Sequence, residues 1–330
     1  MKAFVIGNGS IGQRHIKNLI NLGVNVSAYS YRNSEIIKFN KQKITKIKSD
    51  YKKALEENFD FVVIANNTND HIKVALEAAK LSNNLYIEKP LSNSKDYIDE
   101  LIKISESKKL IIDSGFMLRS HPNLIWINQF LQSLPLGKLL YASASVGQDL
   151  TEWRPSCDYR NSYSAFINKG GGVIFDLIHE LDIIYWLLGD IKEICCMTEK
   201  VKNLEIETEG VAQIIMRLKT EQIVHVRLDY VRPNYSRKLE LVFEKGIIYW
   251  DYLKGKVFIE EKGKESLEVN SLPNKFVRND IFLNHMKSFI NKINTPFNEL
   301  SSNLRDGYEV LKIALASHES ATKKKNIYIA

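Results

Sequence analysis

Three groups of residues in this 330-residue chain are of types, and at spacings, that could do chemistry. The first is Gly7-Asn8-Gly9-Ser10-Ile11-Gly12, directly behind the apolar run Ala3-Phe4-Val5-Ile6 and ahead of a helical pattern. In a loop of this kind the first glycine allows a tight turn and the second lets a pyrophosphate approach the backbone. The third lets helix and strand pack closely. The helix start then offers free N–H groups and the positive end of its dipole to phosphates. A dinucleotide held by Gly7, Gly9, Ser10, Ile11 and Gly12 is expected; a tight turn without ligand is the plainer alternative.

The second group is Glu88-Lys89-Pro90, just after an apolar strand. Ligands of open α/β sheets bind at the carboxyl ends of strands. A lysine there could reach both a nicotinamide ribose and a substrate hydroxyl, although a plain loop lysine looks the same in sequence. The third group follows Gly170-Gly171-Gly172 and comprises Asp176, His179 and Asp182. On a helix, residues three apart share a face. Histidine titrates near working pH and suits removal of a hydroxyl proton during hydride transfer, with the aspartate orienting it. A structural hydrogen bond would show the same spacing. No further ligands of sensible spacing accompany these residues, so no metal site is predicted.

The end of the second strand bears on which dinucleotide binds. It reads Ser27-Ala28-Tyr29-Ser30-Tyr31-Arg32, with no acid until Glu35. A carboxylate at that strand end would hold the ribose 2′-hydroxyl of NAD and repel a 2′-phosphate. Without one, Ser30 and Arg32 are expected to hold the phosphate, and NADP(H) is favoured over NAD(H).

The elements that must position these groups follow from periodicity. Residues 2–7 read as a buried strand, Ile11 to Leu22 as a helix stopped by Gly23, and Val24 to Tyr29 as a second strand. Phe61-Val62-Val63-Ile64-Ala65 is a continuous apolar run of the kind a parallel sheet buries on both faces. Helices near Asp70–Leu81 and Lys95–Ser107 alternate with strands at Leu85–Ile87 and Leu110–Asp113. Such alternation implies a doubly wound parallel sheet, an α/β dinucleotide-binding Rossmann domain over residues 1–120. After a helix at His121–Leu134 and a strand at Lys138–Val146, longer strands run from Ile191 to Glu261 with short connections. Helices Asp280–Ile293 and Asn303–Lys323 close the chain. Residues 121–330 therefore read as an α+β domain on an open, largely antiparallel sheet.

Composition excludes several classes. The apolar share of 44% and the charged share of 26% are those of an ordinary globular protein. No apolar run reaches the roughly 18 residues of a membrane span, and no secretory leader precedes the first strand. A cytoplasmic protein is expected. The net charge of +7 comes from lysines scattered along the chain rather than a basic arm, so nucleic acid is not an expected partner. Three cysteines, Cys157 and the adjacent Cys195 and Cys196, are too few and too poorly spaced for a metal chelate or a disulfide framework.

On these residues the chain resembles the glucose–fructose oxidoreductase/inositol dehydrogenase/MocA family. The resemblance is carried by Val5 through His15, Val62 through His71, Glu88-Lys89-Pro90-Leu91, Gly170 through Asp182 and the closing helix Arg305–Ser320. It implies reversible oxidation of a carbinol on a sugar or cyclitol ring, with Lys89 catalytic and touching the cofactor. Asp176 would position the substrate and His179 would accept the proton. It also implies cofactor contacts from Asn66, Asn67, His71, Glu88 and Pro90, and a homo-oligomer, dimer or tetramer, formed through the second domain's sheet. The step from the aspartate to the histidine departs from that of many relatives, being three residues here.

A narrower likeness, to oxidoreductases found with surface-polysaccharide and acidic-sugar biosynthesis, lies in Gly115–Pro122 and in Trp153 through Ala165. There Arg119, Arg154 and Arg160, interleaved with Trp153, Tyr159 and Tyr163, would suit an anionic sugar or sugar nucleotide. A loop held by surface ion pairs is the alternative. Three rival functions keep the Rossmann domain: a redox-neutral sugar enzyme using the nicotinamide transiently, a cofactor-sensing regulator without chemistry, and a structural assembly factor. Retention of Lys89, Asp176 and His179 argues against the last two.

Overall fold

The computed structural model describes residues 1–30, 46–48, 50–133, 136–153, 158–295 and 302–329. In chain order the first elements are β1 (Lys2–Ile6), α1 (Ser10–Asn21), β2 (Asn25–Tyr29), β3 (Lys46–Lys48), α2 (Tyr51–Leu55), β4 (Phe61–Ile64), α3 (His71–Lys80), β5 (Asn84–Ile87), α4 (Ile98–Lys108) and β6 (Ile112–Ser114). Then come α5 (Pro122–Gln132), β7 (Leu139–Gly147), α6 (Val173–Asp176), α7 (His179–Leu188), β8 (Ile191–Glu199), β9 (Val211–Leu218), β10 (Ile223–Asp229), β11 (Ser236–Phe243), β12 (Gly246–Asp251), β13 (Lys256–Glu261) and β14 (Leu267–Ser271). The chain closes with α8 (Arg278–Asn294), α9 (Leu304–Lys323) and β15 (Ile327–Tyr328).

Two compact units result, Met1–Ser120 with Val277–Leu311 and His121–Phe276 with Lys312–Ala330. The sequence reading runs the second domain unbroken from 121 to 330, whereas α8 and the start of α9 cluster with the first unit. The reason is packing. Met286 and Phe289 of α8 are fully buried in one core with Ala3, Val5, Phe61, Val63 and Tyr86, and an apolar helical stripe goes wherever a sheet face needs cover. Nothing local to residues 278–294 says which sheet that will be.

In the first unit six parallel strands lie in the order β3-β2-β1-β4-β5-β6. The order reverses direction at β1, flanked by β2 and β4, and in such sheets ligands bind beyond the carboxyl ends of the strands at that switch point. Every residue of Phe61–Ile64 is fully buried, as a strand covered on both faces requires. The second unit carries nine strands in the order β14-β13-β12-β11-β7-β10-β9-β8-β15, all pairings antiparallel except β7 with β10. Burial alternates along β9, so one face is packed and the other is not. Cys195 is exposed and Cys196 buried on β8, the opposite faces expected of neighbours; Cys157 lies outside the described residues. No helix among the described residues is long and apolar enough to cross a membrane.

Candidate active site

In the first unit the glycine loop follows β1 and opens α1. Gly7 sits at φ +111°, and a side chain there would run into the Ala65 carbonyl. A Cβ on Gly12 would collide with the Gly7 carbonyl, so helix and strand are as close as the third glycine implies. Gly9 differs: a Cβ there would meet nothing within 4 Å, so its outer side is open. It caps α1 in an extended conformation; being glycine it offers no side-chain cap, and the first turn of α1 carries no acid. An uncapped, acid-free helix start beside an open glycine is the donor set a pyrophosphate requires. The residues present therefore fit the expected dinucleotide.

The ends of β4 and β5 supply the rest. Neither polar atom of the buried Asn66 amide has a hydrogen-bond partner among the described residues, an arrangement that favours a ligand group there. His71 sits between two carbonyls: its Nδ1 lies 2.9 Å from that of Pro90 and its Nε2 3.2 Å from that of Asn66. Burial lowers its pKa, and the neutral ring has one N–H to donate.

Glu88 is buried: its Oε1 lies 2.6 Å from Nε2 of the fully buried His15 on α1, and its Oε2 accepts the Lys89 N–H at 3.2 Å. Gly115 packs so tightly on this carboxylate that a Cβ would approach within 3.1 Å. Lys89 follows, half-buried, with the Lys89–Pro90 peptide cis. Asn67 begins the turn into α3. Ser30 follows β2, and Arg32 lies outside the described residues. Arg119 departs from the expected sugar contact, because its guanidinium is buried against Asp306 at 3.2 Å.

In the second unit Asp176 and His179 do not share one continuous helix. Leu177 and Ile178 form a turn between α6, which Asp176 ends, and α7, which His179 begins. Both side chains are buried, at 4% and 5% exposure. The Tyr230 hydroxyl donates to Asp176 Oδ2 at 2.6 Å, and burial, with the charge of Asp176 adding, pushes the phenol well above its ordinary pKa. The Trp153 indole stands edge-on to Tyr230 at 5.3 Å between ring centroids, and its buried Nε1 has no partner among the described residues. Glu180, next to His179, is bound to Arg237 at 2.7 Å in a buried pair.

The loop expected to take an anionic sugar is only partly brought to this cluster. Tyr163 lies close enough to Tyr230 to act on it electrostatically. Arg160 instead reaches Asp158 at 2.9 Å and Glu205 at 2.7 Å on the surface, the ion-pair alternative. Tyr159 starts the short turn beside it, and Arg154 lies outside the described residues. Sequence reasoning missed Tyr230 and His15. Tyr230 is 54 residues from its partner and His15 is 73 from Glu88, and no local pattern announces either pairing.

Comparison with known proteins identifies the family. Residues 1–116 match the model of an oxidoreductase family with an NAD-binding Rossmann fold, and residues 126–249 match that of the GFO/IDH/MocA C-terminal domain. Between them they cover most of the chain. Myo-inositol 2-dehydrogenase of Thermotoga maritima is 24% identical over 99% of this chain and 98% of its own. A 2,7-anhydro-N-acetylneuraminate hydratase of Mediterraneibacter gnavus is 27% identical over 43% of this chain and 37% of its own. Among solved structures, a levoglucosan dehydrogenase in complex with NADH superposes with a TM-score of 0.87 at 16% identity, over 100% of this chain and 99% of that one. The last likeness shows the fold.

Proposed function

The chain belongs to the glucose–fructose oxidoreductase/inositol dehydrogenase/MocA family of oxidoreductases with an NAD-binding Rossmann fold, and from that premise we propose that it interconverts a carbinol and a ketone on a sugar, cyclitol or sugar-nucleotide ring. The observation that carries the reading is the buried Asp176, held by Tyr230 and three residues ahead of a buried His179, in a chain whose other unit presents an open glycine loop. Two similar proteins named for inositol and levoglucosan dehydrogenation support the substrate class.

When bound, the nicotinamide accepts or returns a hydride. His179 takes the hydroxyl proton in the oxidative direction. The Lys89 ammonium stabilises the negative charge that develops on the carbinol oxygen. Asp176 accepts hydrogen bonds from ring hydroxyls, and Trp153, Tyr159 and Tyr163 offer faces for the ring. Asn66 and the first amides of α1 would hold the dinucleotide. NADP(H) is preferred on the strength of the strand end at Ser30, where no carboxylate stands to repel a 2′-phosphate. A homo-oligomer is supported by the outward face of the second unit's sheet, where Tyr141, Ile215 and Ile223 stay exposed; light scattering would read its size.

The test is turnover. With a panel of polyols and sugars and either dinucleotide, Lys89→Ala and His179→Ala keep the fold and each lose roughly a hundredfold or more in kcat, read from nicotinamide absorbance. Unchanged turnover in both variants would remove the proposal. A second reading has the name of the hydratase relative in its favour: redox-neutral chemistry in which the substrate is oxidised and re-reduced. In that case product accumulates while the absorbance returns to its starting value.

A further inference from the structure

The connector between β8 and β9 is hydrogen-bonded to the loop after Tyr163, to the turn that carries Asp176 and to Tyr230. Its last four residues are Glu207-Thr208-Glu209-Gly210. Glu207 donates its N–H to the Ala165 carbonyl at 3.0 Å, and the buried Thr208 hydroxyl donates to the Ser164 carbonyl at 2.8 Å, so the connector fixes the loop that follows Tyr163. Gly210 accepts the Tyr230 N–H at 2.8 Å, fixing the residue whose hydroxyl holds Asp176.

Glu209 grips the turn of Asp176 itself. Its carbonyl accepts the Val173 N–H at 3.2 Å, and its side-chain Oε1 accepts the Ile174 N–H at 3.1 Å. Gly172, at φ +111°, lies so close that a Cβ would come within 2.5 Å of the same carboxylate. This explains why the third glycine of the Gly170–Gly172 run must be a glycine. The carboxylate occupies the place of a side chain, and the turn is bent onto it.

We propose that Glu209 is a positioning residue for Asp176, holding the 173–176 turn through the Ile174 amide. The proposal rests on the substrate-positioning role given to Asp176 above. It also makes that role sensitive to pH. Burial pushes the Glu209 carboxyl up to about 7; the Ile174 amide, its own backbone N–H and Lys200 oppose the shift, and the charge of Asp176 adds to it. The other groups facing it are Tyr230, the buried Cys196 thiol and His318, whose Nε2 lies 3.9 Å from Oε1. Burial holds that ring down to about 4, so it is neutral where Glu209 titrates. An ionised acceptor holds an N–H more strongly than a neutral one. The grip on the turn is therefore firm above pH 7 and slackens below it.

Two measurements on the full-length protein test this. In a carbon-13 carboxyl titration without substrate, one glutamate resonance moves with a midpoint near 7 and is absent from Glu209→Gln. The Asp176 resonance, assigned with Asp176→Asn, shifts with the same midpoint in the parent only. In kinetics, Glu209→Ala raises the substrate KM about tenfold while kcat falls by less than threefold. Glu209→Gln keeps an acceptor for Ile174 and recovers most of that KM, which no longer rises between pH 8 and 6. An Asp176 resonance indifferent to Glu209→Gln, or an unchanged KM in Glu209→Ala, overturns the proposal. If Glu209→Ala does not fold, the titration and the glutamine variant decide it. A parent chain that turns over no carbinol defeats the proposed function instead, and the titration alone then decides whether Glu209 holds Asp176.

Discussion

Around Gly7–Gly12 the decisive contacts are made by backbone atoms, whereas around Asp176 they are made by side chains delivered from residues 209 and 230. The loop can do its work only if certain side chains are missing. The Asp176 cluster works only if particular distant side chains are present. A site made by subtraction leaves its mark in the local sequence, because glycines at fixed spacing have few other reasons to occur together. A site made by long-range addition leaves almost none.

The contrast can be broken in order of expected effect. Gly12→Ala places a methyl against the Gly7 carbonyl; overpacking of this kind costs roughly 2–3 kcal/mol. Urea unfolding would read that loss, and dinucleotide binding followed by fluorescence should disappear with it. Tyr230→Phe keeps the ring against Trp153 but withdraws the hydroxyl from a buried carboxylate, at about 1–3 kcal/mol. Its dinucleotide affinity should be that of the parent while substrate KM rises. A matching loss of dinucleotide affinity would mean that the two clusters are not separable. Smallest is Arg160→Ala: the guanidinium is half-exposed and already shared between Asp158 and Glu205, so unfolding midpoint and substrate KM should both stay where they are. A raised KM for acidic sugars would restore the arginine to the substrate loop.

Legibility in the sequence follows the same division. The parallel sheet could be read because its strands are short apolar runs between helical patterns, and Phe61–Ile64 is buried throughout as such a run demands. Glu88 enters the cofactor expectation through the family resemblance, and the His15 bonded to its carboxylate is 73 residues away with no local signal. Asp176 and His179 were put on one helical face by their spacing of three. The break at Leu177–Ile178 is not legible because neither residue is a helix breaker, and the residue bonded to the preceding turn, Glu209, lies far along the chain. Arg119 enters the sugar-binding expectation through the likeness of Gly115–Pro122 to acidic-sugar oxidoreductases. Its partner Asp306 is 187 positions away, on the last long helix, and only the folded chain brings them together.

The helix α9 crosses from one compact unit into the other at Leu311–Lys312, and the chain also passes between them at Ser120–His121 and Phe276–Val277. Neither unit is therefore a contiguous stretch of the gene. A fragment ending at Ser120 would hold the whole glycine loop yet lack Met286 and Phe289, leaving bare the apolar surface they cover. Recombination that shuffles a nucleotide-binding half onto a new partner would have to move two separated pieces at once.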